Sequence, residues 1–141
     1  MTAPQHPLEL LAPAGDRLCI TAAVENGADA VYFGLECGFN ARARATNLHL
    51  DALPEVMSFL QERGVRGYVT LNTLVFPSEL SAIERHIVEL TEAGVDAVLV
   101  QDLGLVRLIH AISPDLAVHA STQMTLTSGE CIQAAKELGI E

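Results

Sequence analysis

The sequence predicts an α/β fold, in which five β/α units form the N-terminal portion of a single TIM-barrel-like parallel domain over residues 1–141. Four glycines support this prediction, because each follows a helix-like segment and precedes an apolar run: Gly27, Gly64, Gly94 and Gly139. Gly lacks a Cβ, so it suits the left-handed position just past the end of a helix. Each junction therefore indicates a return from helix to strand.

The length of the repeat favours a barrel over an open sheet. The units average about 28 residues, as in an eight-unit barrel of ~250 residues. A doubly wound sheet is the alternative, but the turn after the first strand carries a single glycine, Gly15, where that fold has a Gly-rich phosphate turn. Because Ile140 and Glu141 begin another strand, we expect a truncated barrel with further units beyond residue 141.

The five strands are predicted from apolar runs at residues 8–12, 30–35, 67–71, 97–100 and 116–120. Asp16 caps the first helix, and Asp51 starts the second, whose apolar residues repeat at helical spacing: Leu53, Val56, Met57 and Leu60. Ser78 opens the third helix, with the stripe Leu80, Ile83, Ile87 and Leu90. The fourth helix, with Leu105, Leu108, Ile109 and Ile112, stops at Ser113-Pro114, and residues 127–130 resemble a capping box before the fifth.

The composition indicates a cytoplasmic protein with a buried sheet. Half the residues are apolar and only 4% are aromatic, which suits strands covered on both faces by helices. The sequence contains neither a run of ~18 apolar residues nor the features of a signal peptide, so we expect no membrane partner. Three widely spaced cysteines, Cys19, Cys37 and Cys131, are typical of reduced thiols. The net charge of −10 argues against a general polyanion-binding surface.

Polar residues cluster where the predicted strands end, which is the functional face of a β/α barrel. Period-two alternation turns these side chains inward, around one barrel mouth. We predict catalytic roles for His119 and Asp102. The predicted substrate-binding residues are Tyr32, Arg42, Asn72, Gln101, Ser121 and Gln123. The alternative is that these groups satisfy one another and the loop backbones.

Other polar residues lead to further predictions. Arg42 and Arg44 suit a carboxylate or phosphate, or form a solvated pair. Cys37 in the same loop is interpreted as an inert cysteine, and a reactive thiol of low pKa is the alternative. Asp29 and Asp96 each lie two residues after a junction glycine, at the stability face of a barrel, and are interpreted as structural. The histidines show no ligand spacing, so no metal site is predicted.

The sequence resembles the collagenase-like peptidase family U32 in five ordered blocks that cover nearly the whole chain. These blocks are LLAPAG (10–15), GADAVY (27–32), VTLNT (69–73), GVDAVLVQDLG (94–104) and HASTQ (119–123). Within the family, the resemblance is nearest to members that hydroxylate a cytidine in ribosomal RNA. It implies an enzyme acting on RNA or a small molecule at the barrel mouth.

The resemblance also implies cofactors and leaves other functions open. An iron–sulfur cluster is implied, with cysteine ligands expected beyond residue 141, because Cys19, Cys37 and Cys131 do not match the family signature. Prephenate is implied as a possible hydroxyl source. One alternative is a collagenase-like peptidase acting on peptides, and another is a non-catalytic accessory subunit, as in oxygen-independent ubiquinone synthesis.

Overall fold

In the part of the chain that the structure describes, five parallel strands are hydrogen-bonded in chain order and form one sheet. The computed structural model describes residues 8–36, 38–41 and 46–141. The strands are β1 (Leu11–Pro13), β2 (Ala30–Phe33), β3 (Arg66–Leu71), β4 (Ala97–Val100) and β5 (Ala117–Ala120). They alternate with helices α1 (Arg17–Glu25), α2 (Leu53–Gln61), α3 (Leu80–Glu92), α4 (Leu103–Ile112) and α5 (Gly129–Glu137). The predicted α/β fold is confirmed.

The strand order is that of a barrel wall. A doubly wound sheet reverses its direction at a switch point, whereas these strands follow one another without reversal. After α5 the backbone returns to the sheet, because the Glu141 N–H donates to the Val118 carbonyl at 2.8 Å. All four junction glycines have left-handed φ angles, between 67° and 88°, as the sequence predicts.

The two faces of the sheet differ as the alternation predicts. Residues directed toward the helices lie in one large buried cluster, which includes Val31, Phe33 and Val69. The inner face carries a small cluster of Ala30, Tyr68 and Ala97, with partly buried residues packed against it: Tyr32, Leu99 and Ala117. Within the described ranges, no helix combines the length and apolarity needed to cross a membrane.

Two carboxylates at the strand starts repeat one contact. Asp29 accepts a hydrogen bond from the Leu10 N–H at 2.7 Å, and Asp96 accepts one from the Gly67 N–H at 2.7 Å. Each carboxylate thereby joins the start of its own strand to the strand before it. The structural role predicted for both is confirmed.

Several boundaries differ from the prediction. β1 starts at Leu11 instead of residue 8, because the Leu10 backbone bonds to Asp29 and Ala30 outside the strand ladder. Short 3₁₀ turns, Leu50–Ala52 and Pro77–Glu79, precede α2 and α3, so these helices begin later than predicted.

Caps and apolar stripes follow the prediction with two corrections. Asp16 caps α1 by accepting from the Cys19 N–H at 2.8 Å. The cap of α5 is Ser128 and not the first residue of the predicted box, since the Ser128 hydroxyl accepts from the Cys131 N–H. In α3, His86 is buried and Leu80 is exposed, because the 3₁₀ turn places Leu80 at the helix start, beyond the core.

Candidate functional site

His119 lies on the inner face of β5, opposite Leu99 of β4. Its ring meets the Tyr68 ring edge to face, with centroids 4.9 Å apart and planes at 83°. Burial lowers the pKa of His119 below its ordinary value; the Glu141 carboxylate opposes this shift and the Arg66 guanidinium adds to it. The imidazole is therefore neutral at neutral pH, and one ring nitrogen is able to accept a proton.

Asn72 joins three elements at the ends of the strands. Its Oδ1 accepts from the Ala41 N–H at 2.9 Å, and its Nδ2 donates to Ser121 Oγ at 3.3 Å. Ser121 also accepts from the Gln123 N–H at 3.2 Å, and its side chain is buried. This pair therefore fastens the chain after β2 and the turn after β5 to the end of β3.

Asp102 caps α4 and holds the loop that follows β3. Its Oδ1 accepts from the N–H groups of Gly104 and Leu105, at 2.7 and 3.1 Å. Its Oδ2 accepts from the Val75 N–H at 3.1 Å. The carboxylate lies beside a groove between α3 and α4, on the outer side of the sheet. The catalytic role stays a prediction, whereas the contacts show a positioning role.

Three other predicted residues keep their hydrogen-bonding groups available. Tyr32 and Gln101 are half-buried and Gln123 is exposed. Within the described part of the chain, no hydrogen bond engages the Tyr32 hydroxyl or either glutamine amide. Arg42, with Arg44 and Cys37, lies outside the described residues. The predicted site thus contains two sets of residues. Asn72, Asp102 and Ser121 are engaged in hydrogen bonds that hold loops and helices. In Tyr32, Gln101, His119 and Gln123, the polar side-chain groups are available to a ligand.

Asn40 and Asn47 lie at the ends of β1–β3 and were not predicted from the sequence. They line a small cleft with Tyr32 and Thr70, and the cleft holds ≈ 20 Å³, the room of one water molecule. A Cβ added at Gly34 would lie 2.5 Å from Asn47 Oδ1, so the glycine makes space for the amide. The signal in the sequence is the glycine that directly follows β2, before a loop that carries both asparagines.

The described residues do not fit an iron–sulfur cluster. Cys19 and Cys131 are exposed on α1 and α5. Within residues 8–36, 38–41 and 46–141, no three His, Cys, Asp or Glu side chains form a group able to hold a metal ion.

Comparison with known proteins links this fold to a family. The sequence profile of peptidase family U32 matches residues 15–141. The chain is 40% identical, over 139 residues, to the 23S rRNA 5-hydroxycytidine C2501 synthase of Escherichia coli, a match that covers 99% of this chain and 20% of that protein. It is 32% identical, over 133 residues, to tRNA hydroxylation protein P1 of Bacillus subtilis, covering 94% of this chain and 31% of that protein.

Other relatives carry different names. The chain is 31% identical, over 129 residues, to a collagenase of Porphyromonas gingivalis, covering 91% of this chain and 30% of that protein. It therefore spans between a fifth and a third of the length of these relatives. The solved structure of the U32 peptidase Mk0906 shares the fold, with a TM-score of 0.73 at 16% identity over 99% of this chain and 62% of that chain. Since the family profile covers nearly all of the sequence, the chain belongs to peptidase family U32.

Proposed function

We propose that the whole protein hydroxylates a cytidine in RNA, and that the barrel mouth described above receives the base. The observation that carries the proposal is the similarity to the E. coli 5-hydroxycytidine synthase, which extends over 99% of this chain. The similarity to a tRNA hydroxylation protein supports the same reaction class.

The chemistry of the available side chains suits a nucleobase. Proteins read unstacked RNA bases through hydrogen bonds to their edges and by stacking on aromatic rings. Gln101 and Gln123 offer neutral amide donors and acceptors, and Tyr32 offers a ring and a hydroxyl. His119, kept neutral by burial, supplies a proton acceptor beside the base. Because these side chains are polar but uncharged, they are able to hydrogen-bond to the edge of a nucleobase without attracting phosphate.

The phosphates of the RNA need basic side chains as partners, and this chain has few of them. It carries 8 Lys and Arg residues against 18 Asp and Glu, and counterion release at basic side chains supplies most non-specific affinity for nucleic acid. We propose that Arg42 meets one phosphate, on the strength of its sequence position. The remaining phosphate contacts are proposed to come from outside this chain.

The cofactors belong to the same proposal. An iron–sulfur cluster would use cysteines other than Cys19 and Cys131, because these two lie on separate helices and the described residues form no group of three metal-ligating side chains. Prephenate is proposed as the hydroxyl source, and the cytoplasm as the location.

The similarity to a collagenase makes proteolysis the second candidate. Serine is the nucleophile of many peptidases, where an adjacent base activates it. The described contacts of Ser121 are with the Asn72 amide and the Gln123 N–H, neither of which is a base. In its described contacts, Ser121 therefore lacks the activating proton acceptor that a serine peptidase needs, and the geometry favours recognition of a nucleobase over acyl transfer at this serine.

Mass spectrometry of nucleosides from a deletion strain tests the proposal. Deletion should remove a hydroxycytidine from RNA, and the natural gene should restore it. His119→Ala and Gln101→Ala should restore it poorly at equal protein levels, whereas Gln133→Ala, an exposed glutamine on α5, should restore it fully. An unchanged nucleoside profile after deletion refutes hydroxylation, and gelatin cleavage by the purified protein would then support the peptidase.

A further inference from the structure

A line of four side chains runs through the inner face of the sheet and ends at His119. Arg66 pairs with the Glu9 carboxylate. The Tyr68 hydroxyl donates to the same carboxylate, at 3.0 Å from Oε1 and 2.9 Å from Oε2. The Tyr68 ring then contacts the His119 ring. Only His119 is used by the function proposed above.

We propose that Tyr68 is a positioning residue, whose ring sets the orientation of the His119 imidazole while Glu9 holds the Tyr68 ring in place. This inference rests on the proposed function, in which His119 accepts a proton from the substrate or from water.

The packing around the two rings supports this role. Tyr68 is 2% exposed, and its inner-face neighbour in β4 is the small residue Ala97. Rotation about the last side-chain torsion of histidine is soft, so the ring plane needs a neighbour to define it. Among the described residues, no hydrogen bond reaches the imidazole, and Tyr68 is the aromatic ring that contacts it. The edge-to-face arrangement is one that aromatic pairs prefer.

The far end of Tyr68 is anchored in turn. Burial raises the pKa of Tyr68, so its hydroxyl stays protonated and donates to Glu9 at neutral pH. Glu9 is itself held by Arg66. The charged groups that act on His119 are Arg66 and Glu141, which shift its pKa in opposite directions. A substitution at Tyr68 should therefore affect the orientation and pKa of His119 mainly by removing the ring contact and exposing the imidazole, and not by changing a charge.

Nuclear magnetic resonance of the full-length protein, labelled at histidine, tests the contact without reference to activity. The His119 signals are assigned by their loss in His119→Asn. In the natural protein, the Tyr68 ring current should displace the His119 ring protons. Tyr68→Leu should abolish this displacement and raise the pKa of His119 toward its ordinary value, because the imidazole gains water. Tyr68→Phe should preserve both, since it keeps the ring.

Hydroxycytidine levels in the complemented deletion strain supply the second readout. Tyr68→Leu should lower them on the order of 10²-fold, the cost of a misplaced catalytic group. Tyr68→Phe should restore most of the product. The matched control is Phe59→Leu, which removes a half-buried ring that stacks with Arg17 and Arg63 on the outer side; it should change neither readout.

Glu9→Ala keeps the test decisive if Tyr68→Leu does not fold. It should release the Tyr68 ring, reduce the His119 ring-current displacement and lower the product. His119 signals that are unchanged in the folded variants overturn the inference, whatever happens to the product. Product that persists in His119→Ala refutes the catalytic role of His119, and the resonance measurement then still decides whether Tyr68 orients the ring.

Discussion

Replacement of Asp102 by Ala should destabilise the fold by about 2–3 kcal/mol. Loss of a helix N-cap costs typically ~1 kcal/mol, and here two α4 N–H groups lose their acceptor. The Val75 N–H also loses a charged acceptor, and a hydrogen bond to a charged group contributes ≈ 1.5–3 kcal/mol. Because Asp102 is half-buried, the lower end of that range applies.

Urea unfolding followed by circular dichroism measures this loss. The matched control is Asp16→Ala, since Asp16 caps α1 through the Cys19 N–H and, among the described residues, bonds to no distant loop. Asp102→Ala should lower the free energy of unfolding by more than Asp16→Ala does, with the slope against urea unchanged. Asp102→Asn, which keeps an acceptor for the cap, should lie between them. Equal losses in the two alanine variants would show that the Val75 contact contributes nothing.

Three further predictions concern packing, the mouth and pH. Gly67→Ala should lower the free energy of unfolding by about 1–3 kcal/mol, because the new Cβ would lie 2.6 Å from the Met57 sulfur. The control is Gly129→Ala, whose Cβ meets nothing within 4 Å and which should leave stability unchanged. Equal unfolding curves for the two variants would contradict this. Asn72→Ala should speed hydrogen exchange at the Ala41 amide, which loses its acceptor, and an unchanged rate would refute the fastening role. Burial lowers the pKa of His86 below 6.5, with Glu89 opposing, so the unfolded chain takes up the proton first and stability should fall as pH drops below 6.5. His86→Asn should flatten that slope in urea unfolding at several pH values, and an identical slope would be inconsistent with it.

The sequence predicted what depends on local backbone geometry and on residue period. The junction glycines have the left-handed conformation expected of them, because few other residues adopt it without strain. Alternation along β2 and β3 correctly assigned Tyr32 to the inner face and Val69 to the helix side. The carboxylates after two of these glycines, Asp29 and Asp96, are structural as predicted, since position at a strand start already decides which end of the sheet they occupy.

Only the tertiary structure decided which side chains meet. Asp102 is 27 residues from its partner Val75, and Asn72 is 49 residues from Ser121, so no local period connects them. Alternation states which face a residue occupies, but not which neighbour across the sheet lies within hydrogen-bond distance. The contact of Tyr68 with His119 likewise depends on the register of three strands. The sequence by itself therefore determined the β/α architecture and the polar mouth of the barrel. Lateral packing of strands and loops decided which polar groups support the structure and which stay available. Hydrogen bonds depend on distances between atoms, and the chain sets these distances only when it is folded.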